Sequence, residues 1–137
     1  MDLHCRTHYG EEIQAAEISD PDRVTLVCET DGRLAGYAQL RWKSAPTCVH
    51  ASNPAEIQRL YVDAAWHGKG VAQGLMSCLV ASAAARGADA IWLGVWEKNP
   101  RAISFYAKSG FSVVGEHVFV LGGDPQRDLV LAMKPDG

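Results

Sequence analysis

The sequence has no apolar run approaching the roughly 20 residues that a membrane-spanning helix needs, and no cluster of Lys and Arg. The first absence argues against a membrane span. The second, with a formal charge of −3, argues against a nucleic-acid face. The N-terminus, Met-Asp-Leu-His-Cys-Arg, lacks the basic start and long apolar core of a secretory signal. A cytoplasmic protein is therefore expected. Cysteine is sparse: four residues at 5, 28, 48 and 78, with no C-x-x-C pair. A cytosolic chain of this size does not need disulfides, and Cys28 and Cys78 read as small buried apolar residues. Among the histidines at 4, 8, 50, 67 and 117, His4 and His8 alone are four residues apart, and they lie at the very start of the chain, so no metal is expected. Repeats and low-complexity segments are also missing. The 137 residues, 47% of them hydrophobic, suit one core, and residues 1–137 read as a single domain.

What is present is an alternation of strand and helix signals. Residues 3–18 have helical character with a weak apolar stripe of Leu3, Ile13, Ala16 and Tyr9, and Pro21 breaks the segment. Residues 23–29 alternate as a strand, with Val24, Leu26 and Cys28 on one face. Asp31-Gly32 is a hairpin signal, and the chain returns over 34–42, where Gly36 marks a bulge or close backbone approach. Residues 43–54 read as a loop, and 56–63 as the next strand. Val71, Ala72, Leu75, Met76, Leu79, Val80 and Ala83 recur at helical spacing up to about Arg86. The run 91–96, apolar on both faces, follows as a strand, so the β-loop-α-β unit is a parallel right-handed crossover. Asn99-Pro100 opens a second helix that stops at Gly110. Strands over 111–121 and 128–134 finish the chain. The order α-β-β-β-α-β-α-β-β predicts a mixed α/β sheet.

Between the strand ending at Val62 and the helix starting near Val71 lies Trp-His-Gly-Lys-Gly-Val-Ala. Gly68 and Gly70 let backbone N–H groups approach a ligand, and the helix adds its unpaired N-terminal N–H groups and positive dipole end. Together they make an anion site, most often for phosphate. Gly68, Gly70 and Gly74 give G-x-G-x-x-x-G, one residue out of step with the dinucleotide fingerprint, and no Walker P-loop is present. A nucleotide-binding enzyme is thereby disfavoured.

His67-Gly-Lys-Gly-Val-Ala72 resembles the pyrophosphate loop of the GCN5-related N-acetyltransferases (GNAT), whose signature is [QR]-x-x-G-x-[GA]. Gly70 and Ala72 match, while His67 stands where Gln or Arg is usual. Trp92-Leu-Gly-Val-Trp-Glu-Lys-Asn-Pro-Arg-Ala-Ile-Ser-Phe-Tyr-Ala-Lys-Ser-Gly-Phe111 resembles the second half of the same acetyl-CoA site. The resemblance runs from Val24 to the C-terminus. It implies an α/β (in some schemes α+β), GNAT-like fold, a mostly antiparallel sheet flanked by helices. The family's usual first strand and helix are expected to be missing here, which would expose a sheet edge and invite a homodimer.

The same resemblance implies roles for particular residues. Leu60, Tyr61 and Val62 would pair their backbone with the pantetheine arm. His67, Gly68, Lys69, Gly70, Val71 and Ala72 would hold the pyrophosphate, and Asn99 would contact the cofactor. Tyr106 would sit near the thioester sulfur as proton donor to the leaving thiolate. Glu56, sharing a strand face with Gln58, Leu60 and Val62, is the candidate base, with His117 behind it. The expected reaction is acetyl transfer from acetyl-CoA, without metal, to a small primary amine. The C-terminal run resembles bacterial spermidine/spermine N-acetyltransferases, making a polyamine the lead acceptor. A non-catalytic acyl-CoA-binding module and a protein N-terminal acetyltransferase are the alternatives.

Overall fold

A computed structural model of the chain describes residues 2–6, 12–20, 23–30, 33–42, 45–66 and 70–135. The elements run β1 (Asp2–Arg6), β2 (Glu12–Asp20), β3 (Arg23–Thr30), β4 (Arg33–Trp42), β5 (Pro54–Val62), α1 (Val71–Ala85), β6 (Ala90–Trp96), α2 (Pro100–Lys108), β7 (Ser112–Leu121) and β8 (Asp124–Met133). The strands form one sheet in the order β1-β2-β3-β4-β5-β6-β8-β7. Every pairing is antiparallel except β5 with β6. That single parallel step is the crossover through α1, as the β-loop-α-β order requires.

The helix expected over residues 3–18 is not there. That segment forms β1 and β2, with Leu3 opposite Ala15 and Ile18 opposite Thr25. Glu, Gln and Ala are good helix formers, but pairing with β3 outweighs a propensity of a few tenths of a kcal/mol per residue. An exposed sheet edge was expected from a missing first strand; here β1 and β2 extend the sheet beyond β3. Asp31-Gly32, Pro21 and Tyr9 lie outside the described residues.

Elsewhere the apolar pattern governs packing. On β3, Val24, Leu26 and Cys28 are buried and alternate with half-buried Thr25 and Val27. Leu75 and Leu79 on α1 close over this face, along with Ala38, Leu40 and Ile57. Full burial contributes about 1.5–3 kcal/mol for each such leucine. Ala102, Ile103, Phe105 and Tyr106 of α2 pack on the same cluster, beside Ile91, Leu93, Val95 and Leu131. Both helices therefore lie on one face of the sheet. The other face has a smaller cluster of Val49, Ala90, Trp92 and Val130, packed against Ala45, Cys48 and Ala51. Cys78 is buried on α1 as expected but is disulfide-bonded rather than a simple apolar filler. Among the described residues, Cys28 and Cys48 are free.

Gly36 makes the close approach anticipated for it. A Cβ there would lie 2.5 Å from the Tyr61 carbonyl oxygen and 3.0 Å from Leu75 Cδ1. The register of β3 and β4 also slips beside it, between Cys28 and Glu29. No helix among the described residues is long and apolar enough to cross a membrane.

Candidate active site

The parallel seam between β5 and β6 is short. It joins Pro54 to Ala90, Ala55 to Ile91 and Glu56 to Trp92, and then stops. Past that rung β5 stays with β4, ending at the Gly36–Val62 pair. Strand β6 stays with β8, from Leu93–Leu131 to Trp96–Asp128. Residues 57–62 and 93–96 are thus not laddered to each other. The two strands enclose a wedge, closed at Glu56–Trp92 and open at their C-terminal ends. Open parallel units bind ligands at that end because the following loops and helix N-termini gather there.

Helix α1 begins at the mouth of the wedge. Its N-cap, Gly70, is buried at φ 82°, ψ 5°, a left-handed conformation that glycine adopts without a Cβ penalty. The first intrahelical bond runs from the Gly74 N–H to the Gly70 carbonyl at 3.0 Å. Among the described residues no side chain caps the end, and no acidic residue occupies the first turn. The N–H groups of Val71, Ala72 and Gln73 are thereby left for an anion. His67, Gly68 and Lys69 lie outside the described residues. Just before them, the Asp63 N–H donates to the Ala35 carbonyl at 2.8 Å. The Asp63 carboxylate in turn accepts from the Ala65 N–H at 3.3 Å, turning the chain off β5.

Helix α2 enters from the same end. Asn99 caps it, its Oδ1 accepting from the Ala102 N–H at 3.2 Å, and Pro100 takes the first helical position. The far end is fastened at Tyr106, whose carbonyl accepts from the Phe111 N–H at 3.0 Å. The Tyr106 ring meets Phe105 and Phe111 edge-on, with centroids 5.3 and 5.6 Å away. Burial disfavours the phenolate and raises this phenol above its ordinary value. Among the described residues its hydroxyl has no hydrogen-bond partner, so its proton is available to a ligand.

Glu56 stands on the last rung, and its carboxylate accepts from Arg41 Nε at 2.5 Å, its cross-strand partner on β4. Glu56 does not share a face with Leu60 and Val62, contrary to the alternation expected. Gln39 pairs with Arg59 but Leu40 with Ile57, so Gln58 is an extra residue in a bulge. The bulge shifts the phase by one residue. Leu60 and Val62 consequently join Ala55 and Ile57 on the helix side, while Tyr61 is exposed and stacks at 5.6 Å on Tyr37. His117 is exposed on β7 opposite Asp128, separated from β5 by both β6 and β8.

Two further residues at the closed end were not among the site residues expected from the sequence. Trp92 Nε1 and Gln58 Oε1 are both buried without a hydrogen-bond partner, a state that costs about 1–3 kcal/mol each if nothing fills it. The consecutive polar residues Gln58 and Arg59 are the one sequence signal of the bulge, while the end of the seam at Trp92 arises from strand pairing. Arg41 was missed for the same reason. Beyond Trp96 a hollow of about 470 Å³ is lined by Trp96, Glu97, Lys98, Asp124, Gln126 and Arg127. Within it Arg127 is paired to Glu97 at 2.7 Å.

Residues 2–111 match the profile of the Acetyltransferase (GNAT) family. An uncharacterized N-acetyltransferase of Mycobacterium bovis is 39% identical over 117 residues, 85% of this chain and 70% of that protein. Another, from Lactobacillus delbrueckii subsp. lactis, is 34% identical over 122 residues, 89% of this chain and 70% of its own length. Among solved structures, a spermidine N-acetyltransferase chimera from Vibrio cholerae and hSSAT superposes with a TM-score of 0.69 at 23% identity. That match covers 85% of this chain and 69% of the other. A PaiA N-acetyltransferase of Thermoplasma acidophilum, in complex with coenzyme A, superposes at 0.63 with 24% identity, covering 82% and 61% of the two chains. At such identities the likeness to solved structures speaks for the fold alone. The match over residues 2–111 and the relatives above 30% identity carry the assignment: the chain belongs to the acetyltransferase (GNAT) family and is an N-acetyltransferase.

Proposed function

We propose that residues 1–137 form one catalytic domain that moves the acetyl group of acetyl-CoA directly onto a small primary amine, in the cytoplasm and without a metal. The carrying observation is the wedge, which closes at Glu56–Trp92 and opens on the uncapped N-terminus of α1. A thioester on a long polar arm ending in a pyrophosphate fits that shape. The diphosphate would rest on the N–H groups of Gly70, Val71 and Ala72, with His67, Gly68 and Lys69 completing the loop. The arm would run along the facing edge of Leu60, Tyr61 and Val62, and Asn99 would flank it with the amide nitrogen that capping leaves over.

The chemistry then needs two proton movements. The neutral amine attacks the thioester carbonyl, a C–N bond forms, the C–S bond breaks, and the thiolate leaves. Tyr106 supplies the thiolate with its proton, for which a desolvated phenol is suited. The amine's surplus proton passes to Glu56, the carboxylate at the last rung, held in place by Arg41. Coenzyme A in the complex of one fold neighbour supports the choice of donor. Spermidine, the acceptor in the name of another, is the first polyamine to test.

Thermal shift tests the donor: a ligand bound only by the folded state raises the melting temperature. Acetyl-CoA is expected to raise it, and NAD and ATP to leave it unchanged. No shift with acetyl-CoA at concentrations well above micromolar would end the proposal. Release of coenzyme A with an amine panel separates an enzyme from a mere acyl-CoA binder.

A further inference from the structure

Gly36, Gly94 and Gly115 are the glycines inside strands, and packing accounts for two of them. A Cβ at Gly36 would lie 2.5 Å from the Tyr61 carbonyl oxygen, and one at Gly115 would lie 2.6 Å from Cys48 Sγ. Gly94 of β6 is different. Its φ is not in the left-handed region. Among the described residues, a Cβ there would meet only Asp128 Oδ2, at an ordinary contact distance of 3.8 Å. The pairing of β6 with β8 runs through this position without a shift of register. Alanine would fit and would favour the strand, so the fold supplies no reason for glycine. Where no bulge, bend or neighbouring backbone accounts for it, a strand glycine marks the close approach of a ligand.

The face on which Gly94 lies is the face of Glu56. Ile91, Leu93 and Val95 point into the helix-side core, and Trp92 into the cluster on the opposite side of the sheet. Alternation puts Gly94 and Trp96 on the Trp92 side. Glu56 is on that side too, since it pairs with Trp92 and is flanked by the helix-side residues Ala55 and Ile57. Two ways to its carboxylate are covered. Val49, Ala45 and Ala51 pack over Trp92, and Arg41 occupies the β4 side. Gly94 is exposed, and one strand over and two residues along is about 8 Å from Glu56 between Cα atoms. Trp96, also exposed, bounds the gap farther along β6, and exposed Tyr61 stands on β5 across the wedge. We infer that Gly94 is a specificity-determining residue: its missing side chain is the opening through which the acceptor reaches Glu56, and it sets how broad the carbon skeleton beside the attacking amine can be. The inference rests on the transferase reading given above, with Glu56 as the base.

The test is steady-state kinetics with acetyl-CoA and two acceptors of equal charge and carbon count, n-hexylamine and cyclohexylamine, one slender and one broad. Wild type, Gly94→Ala and Gly94→Val are compared, with acetyl-CoA affinity by titration calorimetry and melting temperature by scanning calorimetry. Wild type is expected to acetylate both amines. Gly94→Ala is expected to lower the ratio of kcat/KM for cyclohexylamine over n-hexylamine by about tenfold, through KM, and Gly94→Val to lower it further. Gly94→Ala should leave the acetyl-CoA Kd unchanged and should not lower the melting temperature, as it would if packing required the glycine. An unchanged ratio, a weakened acetyl-CoA Kd or a lowered melting temperature in Gly94→Ala would each overturn the inference. So would wild type that acetylates other amines but not cyclohexylamine. Wild type that releases no coenzyme A with any amine, whether or not it binds acetyl-CoA, would instead remove the transferase reading beneath it.

Discussion

Desolvation at Tyr106 penalises the phenolate and leaves the phenol untouched, so the proposed donor keeps its proton past the ordinary tyrosine value of 10.0. Tyr106→Phe is expected to lower kcat by about 10²–10⁴-fold with an unchanged acetyl-CoA Kd. No fall in kcat traceable to this phenol should occur below pH 10.0. An alkaline limb below that pH which vanished in Tyr106→Phe would contradict the assignment. Asp89 shows the opposite direction. The N–H groups of Ser52 and Asn53, at 2.7 and 2.8 Å, hold its carboxyl below 3.8. Because the folded state favours the anion, this contribution is complete above pH 3.8 and is lost as pH falls through the lower folded value. The stability gap between wild type and Asp89→Ala should be open at neutral pH and close in acid, as urea unfolding would show. Cys28 also resists ionisation, with burial pushing its thiol up to about 11. At mildly alkaline pH, alkylation should find Cys48 well before Cys28. The α1 start at the 70–72 turn and the Asn99 cap of α2 were legible from residue order alone, since both follow from local helix-terminus chemistry. The partnership of Glu56 with Arg41 was not, because it requires knowing which residue of β4 lies across from it.

Cap and packing at single positions decide whether elements keep their place. Asn99→Ala is expected to cost about 1 kcal/mol through loss of the α2 cap, measurable by denaturant unfolding. Asn99→Asp keeps an accepting oxygen for the Ala102 N–H and removes the amide donor. It should therefore retain stability while weakening acetyl-CoA binding, whereas equal binding would confine Asn99 to capping. On β4, Gly36→Ala would place a Cβ against the Tyr61 carbonyl. Backbone cannot swing aside as a side chain can, so a loss of about 1–3 kcal/mol is expected. A second tight contact lies on the other face, where a Cβ at Gly115 would meet Cys48 Sγ at 2.6 Å and Cys48 Cβ at 2.9 Å. The element pattern was mostly legible. The β3–β4 hairpin, α1, β6 and the Asn-Pro start of α2 all carry periodicity or punctuation that local sequence fixes. The β1–β2 segment was not legible, because its residues favour a helix and only pairing with β3 makes them strands. Strand β8 begins at Asp124 rather than at 128, since the Gly122-Gly123 turn lets Leu121 pair directly with Asp124. The bulge in β5 was also missed, although two polar residues in a row, Gln58 and Arg59, stand between Ile57 and Leu60 and break the alternation.

Taken as a whole, the sheet consists of two antiparallel blades: β1 to β5 on one side, and β6, β8 and β7 on the other. The order of elements predicted a mixed sheet with one parallel crossover, and that much was legible. How soon the crossover strands part was not, because it depends on β4 and β8 drawing them in different directions. Among the described residues, the three pairings from Pro54–Ala90 to Glu56–Trp92 and the Asp89 N–H bond to the Asn53 carbonyl stitch the blades edge to edge, with α1 and the shared core bridging them on one face. A molecule lying in the wedge would supply the missing rungs and act as a ninth strand between the two halves. Amide exchange should register this far from the ligand. With acetyl-CoA bound, protection should rise along Ile57–Tyr61 and Leu93–Trp96 together, and the halves should open as one unit rather than two.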